Sequence, residues 1–153
     1  MHGMSPAPPS SMIDVAGLAS QLRMSVFRLS RKLRRLADPG ITQTQLAALS
    51  TIERHGPVTA GDLAAHEQIQ KPTCTGVIAA LLEEGLIERT PDPLDGRVAW
   101  LQISPGGRRV LQRVRKRHTA YLARRMSRLE PDELQIIERA TRILERLTEE
   151  SGR

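Results

Sequence analysis

Two short segments of this 153-residue chain carry side chains whose types and spacing suit contact with a polyanion. The first is Gln70-Lys71-Pro72-Thr73-Cys74-Thr75-Gly76, at the predicted start of a helix. Gln70, Thr73 and Thr75 can donate and accept hydrogen bonds, and Lys71 can reach a phosphate or a guanine edge. Free amides at a helix start also favour phosphate. The plainer reading is that Thr73 and Thr75 only cap or solvate the helix. The second segment is Asp92-Pro93-Leu94-Asp95-Gly96-Arg97, a tight turn with an arginine leaving it. An arginine is drawn to the negative potential of a minor groove narrowed by A·T pairs. Asp95, two residues earlier, is placed to hold the guanidinium in a bidentate pair and fix its direction. The plainer reading is a surface turn with a weak local ion pair.

Other reactive side chains are sparse. His2, His55, His66 and His118 are scattered without the spacing of a zinc site, so no metal or cofactor is expected. His118 falls on an apolar helix stripe, which reads as packing or as the wall of an effector pocket. The chain has no P-loop, no glycine-rich dinucleotide turn and no nucleophile with a matched base, so it is not expected to be an enzyme. Cys74 is the one cysteine. A thiol near a helix N-terminus can have a lowered pKa and be redox-active, but a lone cysteine is more often a small packing residue. The absence of a possible internal disulfide fits a reducing cytoplasm.

The chain is basic, with a formal net charge of +6. That balance suits nucleic acid, although acidic membranes attract it too. The distribution is uneven. Residues 104–128 hold nine basic and no acidic side chains, residues 1–40 hold six and two, and residues 41–103 hold four and eight. Phe27, Trp100 and Tyr121 are the only aromatic residues. Single-strand binders need stacking platforms, so double-stranded DNA is the better fit. No apolar run approaches the roughly 20 residues that span a bilayer. The run RRVLQRVRKRH can be read as a membrane-binding face, as a solvated basic face of a dimer helix, or as placing Arg108, Arg109 and Arg113 near the wing to track the phosphate backbone; a mixture of the last two is expected, and no membrane partner.

The elements that must position these residues follow from periodicity and caps. Pro and Ser in MHGMSPAPPSSM suggest a disordered segment over residues 1–11, and the segment does not read as a secretory signal. Residues 13–37 read as a long helix with Leu22, Val26, Leu29, Leu33 and Leu36 in one stripe, stopped by Asp38-Pro39-Gly40. A second helix starts at Thr42, which has capping-box spacing to Gln45, and ends at His55-Gly56-Pro57. A third, short helix starts at Thr59 with Asp62 as cap partner. After a break at residues 68–70, a fourth covers residues 71–84, with Pro72 in its first turn and Gly85 as its end. LIERT and VAWLQIS, around PDPLDGR, read as a two-stranded hairpin. Ser104-Pro105 opens a long basic helix to about residue 128, with Leu111, Val114, His118, Leu122 and Met126 as its apolar positions. Pro131 opens the last helix, with Leu134, Ile137, Ala140, Leu144 and Leu147 on one face.

Three short helices and a hairpin make a winged helix-turn-helix at about residues 41–103. In such proteins the second helix of the pair enters the major groove. The fold class is therefore mainly α with a small β-hairpin wing. The winged unit is flanked by N- and C-terminal helices, at about residues 13–37 and 105–150. Their stripes need cover, which a second copy of the chain can supply, forming a two-fold dimerisation domain.

The stretch from Thr42 to Gly107 resembles the MarR family. LLEEGLIER, then DPLDGR, then LQISPGG carry the resemblance through their shared order and spacing, and the flanking helices fit the family plan. The resemblance implies one MarR-type domain over residues 12–150. It further implies a homodimer, a recognition helix from about Lys71 and a wing arginine at Arg97. Relatives often have a small-molecule effector that weakens DNA binding, commonly a phenolic compound, another aromatic acid, a drug or an oxidant. Two departures stand out. Many relatives carry arginine where this chain has Gly76, so base readout would lean on Gln70, Lys71, Thr73 and Thr75. Oxidant-sensing relatives carry their cysteine in the first helix, where this chain has none. The expected function is a cytoplasmic repressor acting on a palindromic operator. The competing reading, favoured by the acidic middle of the chain, is a winged-helix protein-interaction module that never binds DNA.

Overall fold

Nearly every helix start is set by a side chain close to it in sequence. The computed structural model describes residues 13–36 and 40–148. The expected disordered segment at residues 1–11, and Asp38 and Pro39 of the expected stop, lie outside these. The chain divides into two units, residues 1–35 and 36–153.

The first unit holds one helix, α1 (Val15–Arg34). The Asp14 carboxylate accepts from the Gly17 amide at 3.1 Å and caps it. The helix is shorter at both ends than the expected residues 13–37, because the cap lies at Asp14 and Arg35 already acts as C-cap. No residue of α1 is buried, and Leu22, Val26 and Leu29 remain exposed.

The second unit runs α2 (Gln43–His55), β1 (Val58–Thr59), α3 (Ala60–Glu67), α4 (Lys71–Glu83), β2 (Ile87–Pro91), β3 (Ala99–Ile103), α5 (Pro105–Met126) and α6 (Pro131–Thr148). Both expected capping boxes form: Thr42 with Gln45, and Thr59 with Asp62. Gln45 is buried and does more than cap. Its Nε2 donates to Glu84 Oε1 at 3.2 Å, tying the start of α2 to the end of α4. The break before α4 is made by Gln68, which adopts a left-handed φ of 52°. Gly85 ends α4 at a φ of 67°, where a side chain would be strained. Its amide donates to Leu82 O and that of Leu86 donates to Leu81 O, the paired bonds of a Schellman cap.

The sheet has three strands rather than the expected two, in the antiparallel order β1-β3-β2. Val58 pairs with Leu101 and Thr59 with Trp100. A two-residue strand has no alternation to read, so only its partner β3 reveals it. Pro91 is tolerated because β2 is an edge strand.

The core joins α2, α3, α4, the sheet and the first turns of α5, with Leu49, Ile52, Leu63, Leu81, Leu101 and Leu111 fully buried. At its centre Ser104 caps α5 through the Gly107 amide, and its hydroxyl donates to Gly85 O at 2.6 Å. Gly107 lies so close to the Leu86 carbonyl that no side chain fits there. Beyond Val114 the burial ends, and α6 has no buried residue. Its expected stripe is half-buried at Leu134, Ile137 and Leu144 but exposed at Ala140 and Leu147, and Ile136 and Ile143 widen the exposed apolar surface beside Leu147. Among the described residues no helix is long and apolar enough to cross a membrane.

Candidate nucleic-acid interface

The first turn of α4 presents Lys71, Thr73 and Thr75 to solvent and buries Cys74 between them. Gln70 is the N-cap but makes no capping bond with its side chain, so its amide and the first-turn N–H groups stay available. Thr75 is partly engaged: its hydroxyl donates to Lys71 O at 2.9 Å. The residue is exposed, and with its proton so used its hydroxyl can only accept in this rotamer. That partly meets the plainer reading of Thr75 as a residue satisfied by its own helix. Among the described residues nothing lies within 4 Å of a Cβ placed on Gly76, so the helix face beside Thr75 is open.

Cys74 is a packing residue. It is 2% exposed, its thiol donates to Ala60 O at 3.5 Å, and burial, with Glu67 nearby, pushes its pKa up. The lowered pKa considered from its position near the helix start does not arise, because desolvation outweighs the helix end.

The wing tip is held from inside. Asp92 Oδ1 accepts from the amides of Leu94 at 2.8 Å and Asp95 at 2.9 Å, and its Oδ2 accepts from Trp100 Nε1 at 2.8 Å. Two backbone bonds, Asp92 N to Val98 O and Val98 N to Asp95 O, close the loop. Asp95 acts differently from expectation. Its Oδ1 accepts from the main-chain N–H of Arg97 at 3.0 Å, so it fixes the backbone rather than the guanidinium. A carboxylate only two residues back reaches the nearer amide first, as in an Asx turn. Among the described residues the Arg97 guanidinium has no ion-pair partner, and the side chain is exposed.

The Asp92–Trp100 brace was not anticipated. Counting the hairpin register would have found it, since Thr90 pairs with Trp100 and Asp92 follows two residues on. The brace holds the Asp92 carboxyl below its ordinary value, chiefly through Trp100 and then through the Leu94 and Asp95 amides. These bonds favour the ionised form, so the brace is complete above the ordinary value of 3.8 and is lost only as pH falls through the lowered one. Trp100 is the single tryptophan, so its emission reports the wing alone. We expect that emission to hold steady as pH falls past 3.8, and Asp92→Ala to shift it already at pH 7. An acid transition centred at or above the ordinary value would contradict the brace.

A chain of contacts places the α4 first turn and the wing tip at the same end of the unit. Cys74 touches Ala60, the next residue Thr59 pairs with Trp100, and Trp100 bonds Asp92. The other end of the hairpin carries the start of α5. Arg108 and Arg109 therefore sit at the base of the wing beside Gly85, about 16 Å from the tip along β3. They are beside the wing, at its base rather than at the tip that carries Arg97. Arg115 is paired with Glu53 of α2. The acids of α4, Glu83 and Glu84, lie at its C-terminal end, about 18 Å from Lys71. The acidic middle of the chain thus keeps part of its negative charge away from the exposed first turn.

Helices α2 to α4 with a braced hairpin behind them define a winged helix-turn-helix. The MarR family model matches residues 41–99. The HTH-type transcriptional regulator Mb0904 of Mycobacterium bovis is 36% identical over 137 residues, which cover 89% of this chain and 96% of the relative. A transcriptional regulator of Pseudomonas aeruginosa PA01, known from its crystal structure, superposes with a TM-score of 0.80 at 33% identity, over 90% of this chain and 98% of that one. The F27L mutant of Staphylococcus aureus MepR, solved bound to an oligodeoxyribonucleotide, shares the fold with a TM-score of 0.67 at 21% identity, over 86% and 98%. This chain belongs to the MarR family, a family of transcriptional regulators rather than enzymes.

Proposed function

We propose that this regulator is a cytoplasmic homodimeric repressor of a palindromic operator in double-stranded DNA. Gln70, Lys71, Thr73 and Thr75 meet base edges and phosphates in the major groove, and Arg97, on the backbone set by Asp95, enters the adjacent minor groove. The observation that carries this reading is the shared placement of the α4 first turn and the wing tip. Two exposed sets of hydrogen-bonding and cationic side chains point away from the chain's own contacts at one end of the unit. The oligonucleotide bound to the MepR mutant is consistent with it. Selection from a pool of genomic duplexes with the purified protein is the test. Salt-sensitive enrichment of a palindrome with half-sites about one helical turn apart supports it. No enrichment decides for the protein-interaction module, which the acids of residues 41–103 favour.

The dimer is supported by what a single chain leaves uncovered. Neither α1 nor α6 has a buried residue, and Ile136, Ile143 and Leu147 of α6 are 64%, 48% and 69% exposed. Apolar faces of this kind mark interaction surfaces. In sedimentation equilibrium we expect twice the chain mass, and for Ile143→Glu a monomer that no longer binds the duplex. A wild-type monomer would refute the dimer.

Effector release has a physical route. A cavity of about 220 Å³, lined by Ile41, Glu84, Leu86, Val110 and Arg113, adjoins the C-terminal end of α4. Its size suits a single-ring phenolic or aromatic acid, and filling it would press on the element that carries the reading residues.

A further inference from the structure

We infer that Leu94 is a minor-groove contact that gives the wing a preference for A·T over G·C pairs by shape; this rests on the DNA-binding reading above. Leu94 is 96% exposed, more than any other large hydrophobic residue among the described residues. Turn tips are usually built of polar or small residues, and nothing in this turn requires an apolar one. The bonds that shape the tip come from Asp92, Asp95 and Trp100 and use only the main chain of Leu94, whose amide donates to Asp92 Oδ1. The isobutyl group is therefore held out on a rigid support, almost fully exposed among the described residues. Three residues on, Arg97 is exposed on the same loop with its guanidinium unpaired among the described residues.

The two side chains are complementary in chemistry. Arg97 answers the negative potential of a narrow minor groove. Leu94 answers its floor and walls, where sugar carbons and base edges offer apolar contact. Apolar side chains enter minor grooves in other architectures. The A·T floor shows only acceptors, whereas guanine adds an N2 amino group. That amino group occupies the space a leucine would fill and is left without a partner beside it. An arginine alone reads potential; a leucine beside it reads the missing amino group.

The test uses the full chain and the duplex it enriches, with the base pairs under the wing set to A·T, G·C or inosine·C. Inosine lacks the N2 amino group. The wild type is expected to bind the A·T and inosine duplexes alike and the G·C duplex roughly tenfold more weakly for each wing whose base pairs are changed, the scale of burying one leucine side chain. Leu94→Ser is expected to lose the part of the discrimination that inosine abolishes, keeping only what Arg97 draws from groove potential, with an unchanged salt slope and melting temperature, and Leu94→Met to restore it. If Leu94→Ser keeps the full preference, or the wild type shows none, the inference is overturned while the DNA-binding reading stands. If the wild type enriches no duplex at all, both fall.

Discussion

If the wing reads the minor groove as proposed, Arg97→Ala is expected to lower affinity for the enriched duplex by at least about 100-fold while leaving the melting temperature and the oligomeric state unchanged. A hydrogen bond to a charged group contributes about 1.5–3 kcal/mol, a dimer loses two such contacts, and each 1.4 kcal/mol is tenfold. The fold loses nothing comparable. The backbone at Arg97 is held by its own amide on Asp95 and by Val98 on the Asp95 carbonyl, and the guanidinium has no ion-pair partner among the described residues. Arg97→Lys keeps the charge without the planar fork and is expected to fall between the two. A fluorescence-anisotropy titration showing wild-type affinity for Arg97→Ala would remove the wing from the interface.

Gly107→Ala strikes the other end of the hairpin and acts on stability. A Cβ there would overlap the Leu86 carbonyl and lie 2.8 Å from Ile103 Cγ1 and 3.1 Å from Leu49 Cδ1. These neighbours belong to the core and cannot swing aside as a surface side chain can. Leu86 O also accepts from the Ser104 amide at 3.1 Å, so moving it weakens the join between α4 and α5. Overpacking costs about 1–3 kcal/mol and a strained hydrogen bond about 1 kcal/mol more. We expect a loss of about 2–4 kcal/mol, a large part of the usual 5–15 kcal/mol. The neighbouring Gly106→Ala is the milder comparison: its Cβ would lie 3.1 Å from Gly85 O, tight but without overlap, so a smaller loss is expected. Equal denaturant midpoints for Gly107→Ala and the wild type would show that α5 can shift without loss.

These two glycines also show how far sequence reading reaches. Both stand in LQISPGG, and the motif marks a helix start without saying which of them is wedged. The same holds at the interface. Gln70, Lys71, Thr73 and Thr75 could be placed on a helix start from Pro72 and the break before it. That Thr75 spends its proton on Lys71 O, and that Cys74 faces inward onto Ala60, required the packed helix. At the wing, the turn from Asp92 to Arg97 was legible, but the partners of its carboxylates were not. Asp95 bonds a main-chain amide, and Asp92 reaches across to Trp100.

The two segments that could contact a polyanion were determined by the sequence alone, as were the helix order, the caps at Thr42, Thr59 and Ser104 and the stop at Gly85. Each is settled within three or four residues, by spacing and by the geometry of one turn. Only the tertiary structure decided that the α4 first turn and the wing tip share one end of the unit, that β1 completes the sheet, and that Arg108 and Arg109 lie at the wing's base. Those facts depend on pairings between residues far apart in the chain, such as Thr59 with Trp100 or Gly85 with Ser104, and no local pattern encodes them.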